Sequence, residues 1–273
     1  MLFHNCVGVL LIVLSQQSAV SAVGTSCSKD TDCDVENSGC NNNVCACKSG
    51  FIAVSDICVK GTGTVADRGR LYNDLLTSYQ KELMPDGENG GPVVVFHSLS
   101  IQRVVALEHG ILTLQVWEHL QWNDPRLRWD SEDYNIRILQ LPSRHIWQPD
   151  VVLSNSAEQY TGFPSGDVHV HLYNDGNVTF IPPRITKSVC HFGDSALYEN
   201  NEVTCTLKYM SWTRALNSLD LRIDVHARPE IVHNTNPNWN VVETSVERNV
   251  ITYACCPDLY VDVEYTLQLK RLK

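Results

Sequence analysis

Ile111-Leu112-Thr113-Leu114-Gln115-Val116-Trp117-Glu118-His119-Leu120-Gln121-Trp122 alternates with a period of two. Leu112, Leu114, Val116, Leu120 and Trp122 share one parity, and Thr113, Gln115, Trp117, His119 and Gln121 share the other. Successive side chains of a strand point to opposite faces. The stretch therefore reads as a half-buried strand with Trp122 on its core face and Trp117 on its outward face. A tryptophan facing outward calls for a partner or a ligand.

Two further stretches repeat the pattern. In Thr206-Leu207-Lys208-Tyr209-Met210-Ser211-Trp212, Trp212 shares parity with Thr206 and Lys208. Val261, Val263, Tyr265, Leu267 and Leu269 alternate with Asp262, Glu264, Thr266, Gln268 and Lys270, and Tyr260 falls on the polar side. Before these strands, Leu71, Leu75, Leu76, Tyr79 and Leu83 recur at helical spacing. They predict a helix from Asp67, which can cap it, to Met84, ended by Pro85-Asp86-Gly87. After Pro92 there are short strands and turn signals with no βαβ rhythm, which predicts an all-β antiparallel sandwich behind one N-terminal helix. Asn174-Asp175-Gly176-Asn177 marks a hairpin. Asn177-Val178-Thr179 is a sequon for N-glycosylation of Asn177.

The chain has 273 residues and a net charge of −10, which argues against a nucleic-acid partner. Val7 to Leu14 is a short apolar run, and Val20-Ser21-Ala22 offers a cleavage site, so residues 1–22 read as a signal peptide and the protein as secreted and extracellular. No run reaches the ~18–20 apolar residues of a membrane span. Of the eleven cysteines, Cys6 leaves with the signal. Cys27, Cys33, Cys40, Cys45, Cys47 and Cys58 lie within residues 23–60, a segment too short to fold without staples. It reads as a small disulfide-rich module, and Cys45-Ala46-Cys47-Lys48-Ser49-Gly50-Phe51 followed by Cys58 resembles the second half of an EGF-like domain. A linker over residues 61–66 joins it to a domain over 67–273. Cys190, Cys205 and the adjacent Cys255 and Cys256 remain. Neighbouring Cα atoms are about 3.8 Å apart, below the roughly 4.4–6.8 Å of ordinary disulfides. A Cys255–Cys256 bond is thus strained, and the alternative is that each pairs elsewhere.

Residues 66–273 resemble the extracellular ligand-binding domain of Cys-loop receptors, above all the soluble acetylcholine-binding proteins. The resemblance rests on Trp117-Glu118-His119-Leu120-Gln121-Trp122-Asn123-Asp124-Pro125-Arg126-Leu127-Arg128-Trp129, on Ile146-Trp147-Gln148-Pro149-Asp150, on Cys190 and Cys205 followed by Ser211-Trp212-Thr213, and on Tyr253-Ala254-Cys255-Cys256 with Tyr260. It implies five immunoglobulin-like sandwiches in a ring, a homopentamer, with a small cationic ligand held between subunits. Trp212, Tyr253, a Cys255–Cys256 disulfide and Tyr260 would form one wall, and Trp117, Thr179 and Ile181 the other, with His171 nearby. The resemblance further implies a Cys190–Cys205 disulfide and a polar cluster of Lys208, Tyr253 and Asp262 that governs loop closure.

The segment Val152-Leu153-Ser154-Asn155 departs from the family, which carries a tyrosine where Ser154 stands. The stretch His191 to Thr204 is polar and lacks the Phe-Pro-Phe-Asp core of the channels, which points to a protein without a membrane domain. An ion-channel ectodomain, or a structural pentamer whose ligand site is vestigial, are the alternatives. His169 and His171 share a strand face without a third metal ligand, and Gly193-Asp194-Ser195 reads as a turn. No catalytic residue, cofactor or metal is expected, and the protein reads as a binding protein and not an enzyme.

Overall fold

The computed structural model describes residues 23–158, 168–191, 202–224, 230–231 and 236–272. The expected signal peptide, Tyr160 and most of the stretch between Cys190 and Cys205 lie outside them. The chain forms two compact units, Met1–Gly61 and Thr62–Lys273.

The first unit holds two small antiparallel hairpins, β1 (Ser38–Asn41) with β2 (Val44–Cys47) and β3 (Phe51–Val54) with β4 (Ile57–Lys60). Their two-residue turns, Asn42-Asn43 and Ser55-Asp56, all have positive φ, the backbone that matches strand twist. Disulfides Cys27–Cys40, Cys33–Cys45 and Cys47–Cys58 staple the unit. They stand in for a core, since its buried apolar side chains among the described residues are cysteines.

The second unit opens with α1 (Val65–Leu76). Helix and linker both differ from expectation. The N-cap is Thr64, so the last two residues of the expected linker are already helical. Asp67 sits three positions on and closes a capping box: its N–H donates to Thr64 Oγ1 (3.1 Å), and its carboxylate accepts from the Thr64 N–H (3.0 Å) and hydroxyl (2.7 Å). The helix stops at Leu76, well before Met84, because Tyr79 has another task. Its hydroxyl donates to Asp124 Oδ2 (2.7 Å) and accepts from the Trp147 N–H (2.9 Å). Asp124 is fully buried and is also held by Arg126 through Nε (2.8 Å) and Nη2 (2.6 Å). The apolar pattern thus continues past the helix because Tyr79 still faces the core.

The strands are β5 (Val93–Glu108), β6 (Ile111–Asn123), β7 (Ile138–Pro142), β8 (Val151–Leu153), β9 (His169–Tyr173), β10 (Asn177–Phe180), β11 (Pro183–His191), β12 (Glu202–Ser211), β13 (Leu219–Ile223), β14 (Glu230–Ile231), β15 (Trp239–Tyr253) and β16 (Cys256–Arg271). One layer runs β7-β9-β10-β6-β5 and the other β8-β12-β16-β15. β11 serves both. Pro183–Val189 pairs with β6, and Cys190–His191 pairs with β12. The structure joins Cys190 to Cys205 at this crossing. Pairing is antiparallel except where β13 and β14 run parallel to β5.

Leu112, Leu114, Val116, Leu120 and Trp122 of β6 are buried, as are Leu207 and Tyr209 of β12 and Val261 to Leu269 of alternate parity on β16. Burial of each such side chain contributes about 1.5–3 kcal/mol. Trp147 packs edge-on against Trp122, ring centroids 6.0 Å apart. Asp262, expected on the polar face, is instead fully buried, because β15 lies alongside and Asn249 Nδ2 donates to its carboxylate (2.8 Å).

Replacing Tyr79 by Phe removes a donor to a buried carboxylate and the acceptor of a backbone N–H. Tyr79→Phe is expected to cost about 1–3 kcal/mol, read as a lower urea midpoint at unchanged slope. An unchanged midpoint would show that both groups find other partners.

Candidate functional site

Trp212 follows the last residue of β12 and is held through its neighbours. Asp150, just before β8, accepts from Ser211 Oγ (2.5 Å), Thr213 N–H (2.8 Å) and Thr213 Oγ1 (2.5 Å), and its carbonyl accepts from the Trp212 N–H (3.0 Å). The backbone on each side of Trp212 is therefore fixed while the residue is 70% exposed. Asp150 was legible as part of a motif, but its role as the clamp on Trp212 was not. Ser154 donates through both N–H (2.8 Å) and Oγ (3.0 Å) to the Lys208 carbonyl. Asn155 accepts from the Lys208 N–H (3.0 Å) and donates to the Thr206 carbonyl (2.9 Å). The Ser154 hydroxyl is thus spent on the backbone of β12.

The β15–β16 hairpin carries the tyrosines. Tyr253 pairs with Cys256, which leaves Ala254 and Cys255 as the two turn residues. Tyr253 and Tyr260 meet edge to face, centroids 5.4 Å apart. The Tyr253 hydroxyl reaches Met210 Sδ (3.9 Å), two residues before Trp212. Trp212, Tyr253 and Tyr260 thus gather around the end of β12. The implied Cys255–Cys256 bond is not formed here: both residues are free thiols. Their trans-peptide spacing is too short for an unstrained bond, and one sits in the turn while the other has rejoined the ladder. The sulfurs do interact. A hydrogen bond with Cys255 is the first cause that pushes the Cys256 thiol above its usual range.

Trp117 lies elsewhere, outward on β6, opposite Pro183 of β11 and Ser100 of β5, and is 46% exposed. Thr179 faces Gln121 on one side and His171 on the other. Ile181 follows at the same parity, half-buried. Thr179 and Gln121 line a cleft of about 490 Å³ together with Phe96, Tyr173 and Asn177. The residues expected at the site therefore fall into two separate groups, one at the end of β12 and one on β6 and β10.

Of the expected polar cluster, the structure unites Lys208 and Asp262 (Nζ–Oδ2 3.6 Å) but not Tyr253, whose hydroxyl is turned to Met210. Two unforeseen members, Glu264 (2.9 Å from Lys208 Nζ) and Asn249, complete it. Cross-strand register supplied the missing signal, since Lys208 pairs with Glu264. The Glu264 hydrogen bond, opposed by desolvation and aided by Asp262, raises the Lys208 pKa. Its folded pKa lies above the unfolded one, so its contribution is complete below the ordinary lysine range and is lost as pH rises through the folded value. Among the described residues, no helix is long and apolar enough to cross a membrane.

Comparison with known proteins places these features. Residues 68–273 match the family described as neurotransmitter-gated ion-channel ligand binding domain. Residues 4–58 match the EB module, a different cysteine-rich family from the EGF-like one that the spacing suggests. The neuronal acetylcholine receptor subunit alpha-9-I of Oncorhynchus mykiss is 32% identical over 219 residues, 79% of this chain and 38% of that subunit. The human alpha-4 subunit is 32% identical over 213 residues, 74% of this chain and 32% of that subunit. The chain thus spans about a third of the length of these relatives. The AChBP of Capitella teleta in complex with lobeline superposes with a TM-score of 0.66 at 24% identity, over 76% of this chain and 99% of that one, a likeness of fold.

Lys208→Met would leave buried Asp262 without its cation. It is expected to destabilise the protein by about 1–3 kcal/mol, partly restored by Asp262→Asn in the double variant. A double variant as unstable as the single one would show that the charge of Asp262 is not what Lys208 serves.

Proposed function

The chain belongs to the neurotransmitter-gated ion-channel ligand-binding domain family, and from this premise we propose that it is a secreted protein that holds a small cationic ligand between the subunits of a homopentamer. The observation that carries this reading is the split of exposed and half-buried aromatics within one chain. Trp212, Tyr253 and Tyr260 gather at the end of β12 while Trp117 is exposed on β6. Neither group is a closed box, so a complete one needs a second copy. The Trp212 group is the principal wall, with Cys255 and Cys256 at the flap tip. Trp117, Thr179 and Ile181 are the complementary wall.

Aromatic rings are the chemistry that a quaternary ammonium requires, because it has no N–H to donate. Each ring contributes about 0.5–2 kcal/mol, and micromolar binding needs about 8 kcal/mol net. Apolar packing and flap closure must add the remainder. Ser154 contributes no ring, so the box is one aromatic short of the family pattern and its hold on acetylcholine is weaker. A second reading is the extracellular domain of a pentameric ion channel, favoured by the greater length of the receptor relatives. A transcript continuing from Lys273 into hydrophobic segments would establish it.

Calorimetric titration with acetylcholine, nicotine and other amines tests the site. Trp212→Ala is expected to weaken binding at least about tenfold, or ~1.4 kcal/mol, and sedimentation to report five subunits. Unchanged affinity would remove Trp212 from the site, a stable monomer would undo the interface, and no binding of any amine would favour a vestigial site.

We propose further that Cys255 and Cys256 close to a disulfide in the secreted protein and that Asn177 carries a glycan. The Asn177 amide accepts from Asn123 (2.9 Å) and donates to Asp175 (2.8 Å), which leaves one N–H for the sugar. Alkylation without reductant, followed by peptide mass spectrometry, is expected to find no adduct at either cysteine and a glycan at Asn177. Two adducts would establish the dithiol as the working form, and an unmodified Asn177 would remove the glycan.

A further inference from the structure

On the side of β6 opposite Trp117, side chains from five strands meet in the core: His97 of β5, Glu118 of β6, Arg184 of β11, Tyr209 of β12 and Tyr265 of β16. Glu118 and His97 are 1% and 0% exposed. Glu118 Oε2 is in ion-pair contact with Arg184 Nε, and its Oε1 lies 3.5 Å from His97 Nε2. His97 Nδ1 shares a 2.8 Å hydrogen bond with the Tyr265 hydroxyl, and its ring lies 4.4 Å from that of Tyr209. Each carboxylate oxygen of Glu118 thus faces a nitrogen of a basic side chain, Oε2 that of Arg184 and Oε1 that of His97. Burial opposes ionisation of Glu118, but Arg184 and then His97 outweigh it and keep its carboxyl below the usual carboxylate range.

A buried ion pair is seldom more stabilising than well-packed apolar residues of the same volume, and its best-attested use is to specify register. Register is at stake here. The Glu118 N–H donates to the Pro182 carbonyl (3.2 Å), and Trp117 faces Pro183. On the other flank, the β5–β6 ladder shifts between Ile101 and Arg103 and again between Val104 and Ala106, just beyond the Ser100–Trp117 pair. A slip of one residue would turn Trp117 into the core.

We propose that the Glu118–Arg184 pair is a positioning device for Trp117. It ties β6 to β11 so that the outward ring keeps one orientation toward a cationic ligand. The last clause rests on the function proposed above. Glu118 and Arg184 act through Trp117 and touch no ligand.

The test is Glu118→Gln/Arg184→Met, which removes both charges of the pair together. Fluorine NMR of fluorotryptophan-labelled protein reads the Trp117 line, assigned with Trp117→Phe, and a tetramethylammonium titration reads affinity. The double variant is expected to stay folded, to broaden or split the Trp117 line, and to bind about tenfold more weakly. An unchanged line overturns the inference, as does unchanged affinity in the double variant when the wild type binds. A broadened line in a protein whose wild type binds no tetramethylammonium supports the positioning role and removes the cationic ligand. Glu118→Gln alone, which keeps shape and leaves the partly exposed Arg184, gives the same two readouts if the double variant fails to fold.

Discussion

β11 is hydrogen-bonded to both layers of the sandwich, and much of the second unit depends on that sharing. Its first residues continue the sheet that presents Trp117, and its last two pair with β12, which ends just before Trp212. The Cys190–Cys205 disulfide closes the crossing covalently. Two packed sheets could otherwise slide against each other, since apolar contact has no direction. A strand common to both, with a ladder on each side, gives the packing a defined register. Trp117 and Trp212 are therefore carried on one frame, though they serve different faces.

Polar groups inside this unit lie where the chain must be told which arrangement to adopt. Asp124 binds the segment that follows α1, through Tyr79, to the β6 end and to Arg126. Asp150 fixes the turn that bears Trp212. Asp262 joins β12, β15 and β16 through Lys208 and Asn249. A buried carboxylate without partners would cost several kcal/mol, so alternatives that break these contacts are penalised. The apolar residues supply most of the driving force, and the carboxylates narrow the outcome to one register.

The departures from a reading of the chain alone have related causes. The helical period of Leu71 to Leu83 was real, but Tyr79 faces the core for the sake of Asp124 and not as part of the helix. Thr64, and not Asp67, caps α1 because a capping box needs both, and the two are interchangeable by type. Asp262 looks outward by alternation, yet a neighbouring strand covers it. Glu118 shares the parity of Leu112 to Trp122, so its burial was visible in the pattern. Its partners, on strands far off in the chain, were not.

The sequence by itself determined the strand faces, the exposure of Trp117 and Trp212, the stapled N-terminal unit and the family motifs. These follow from local rules: a side-chain period of two, the residue types that turns demand, and cysteines too close-set for a core. Only the tertiary structure decided the Asp150 clamp, the entry of Glu264 and Asn249 into the Lys208 cluster, the turn of Tyr253 toward Met210, and the meeting of Glu118 with Arg184 and His97. Each of these depends on register between strands distant in the chain, and that register is set by how two sheets pack, which no local pattern encodes.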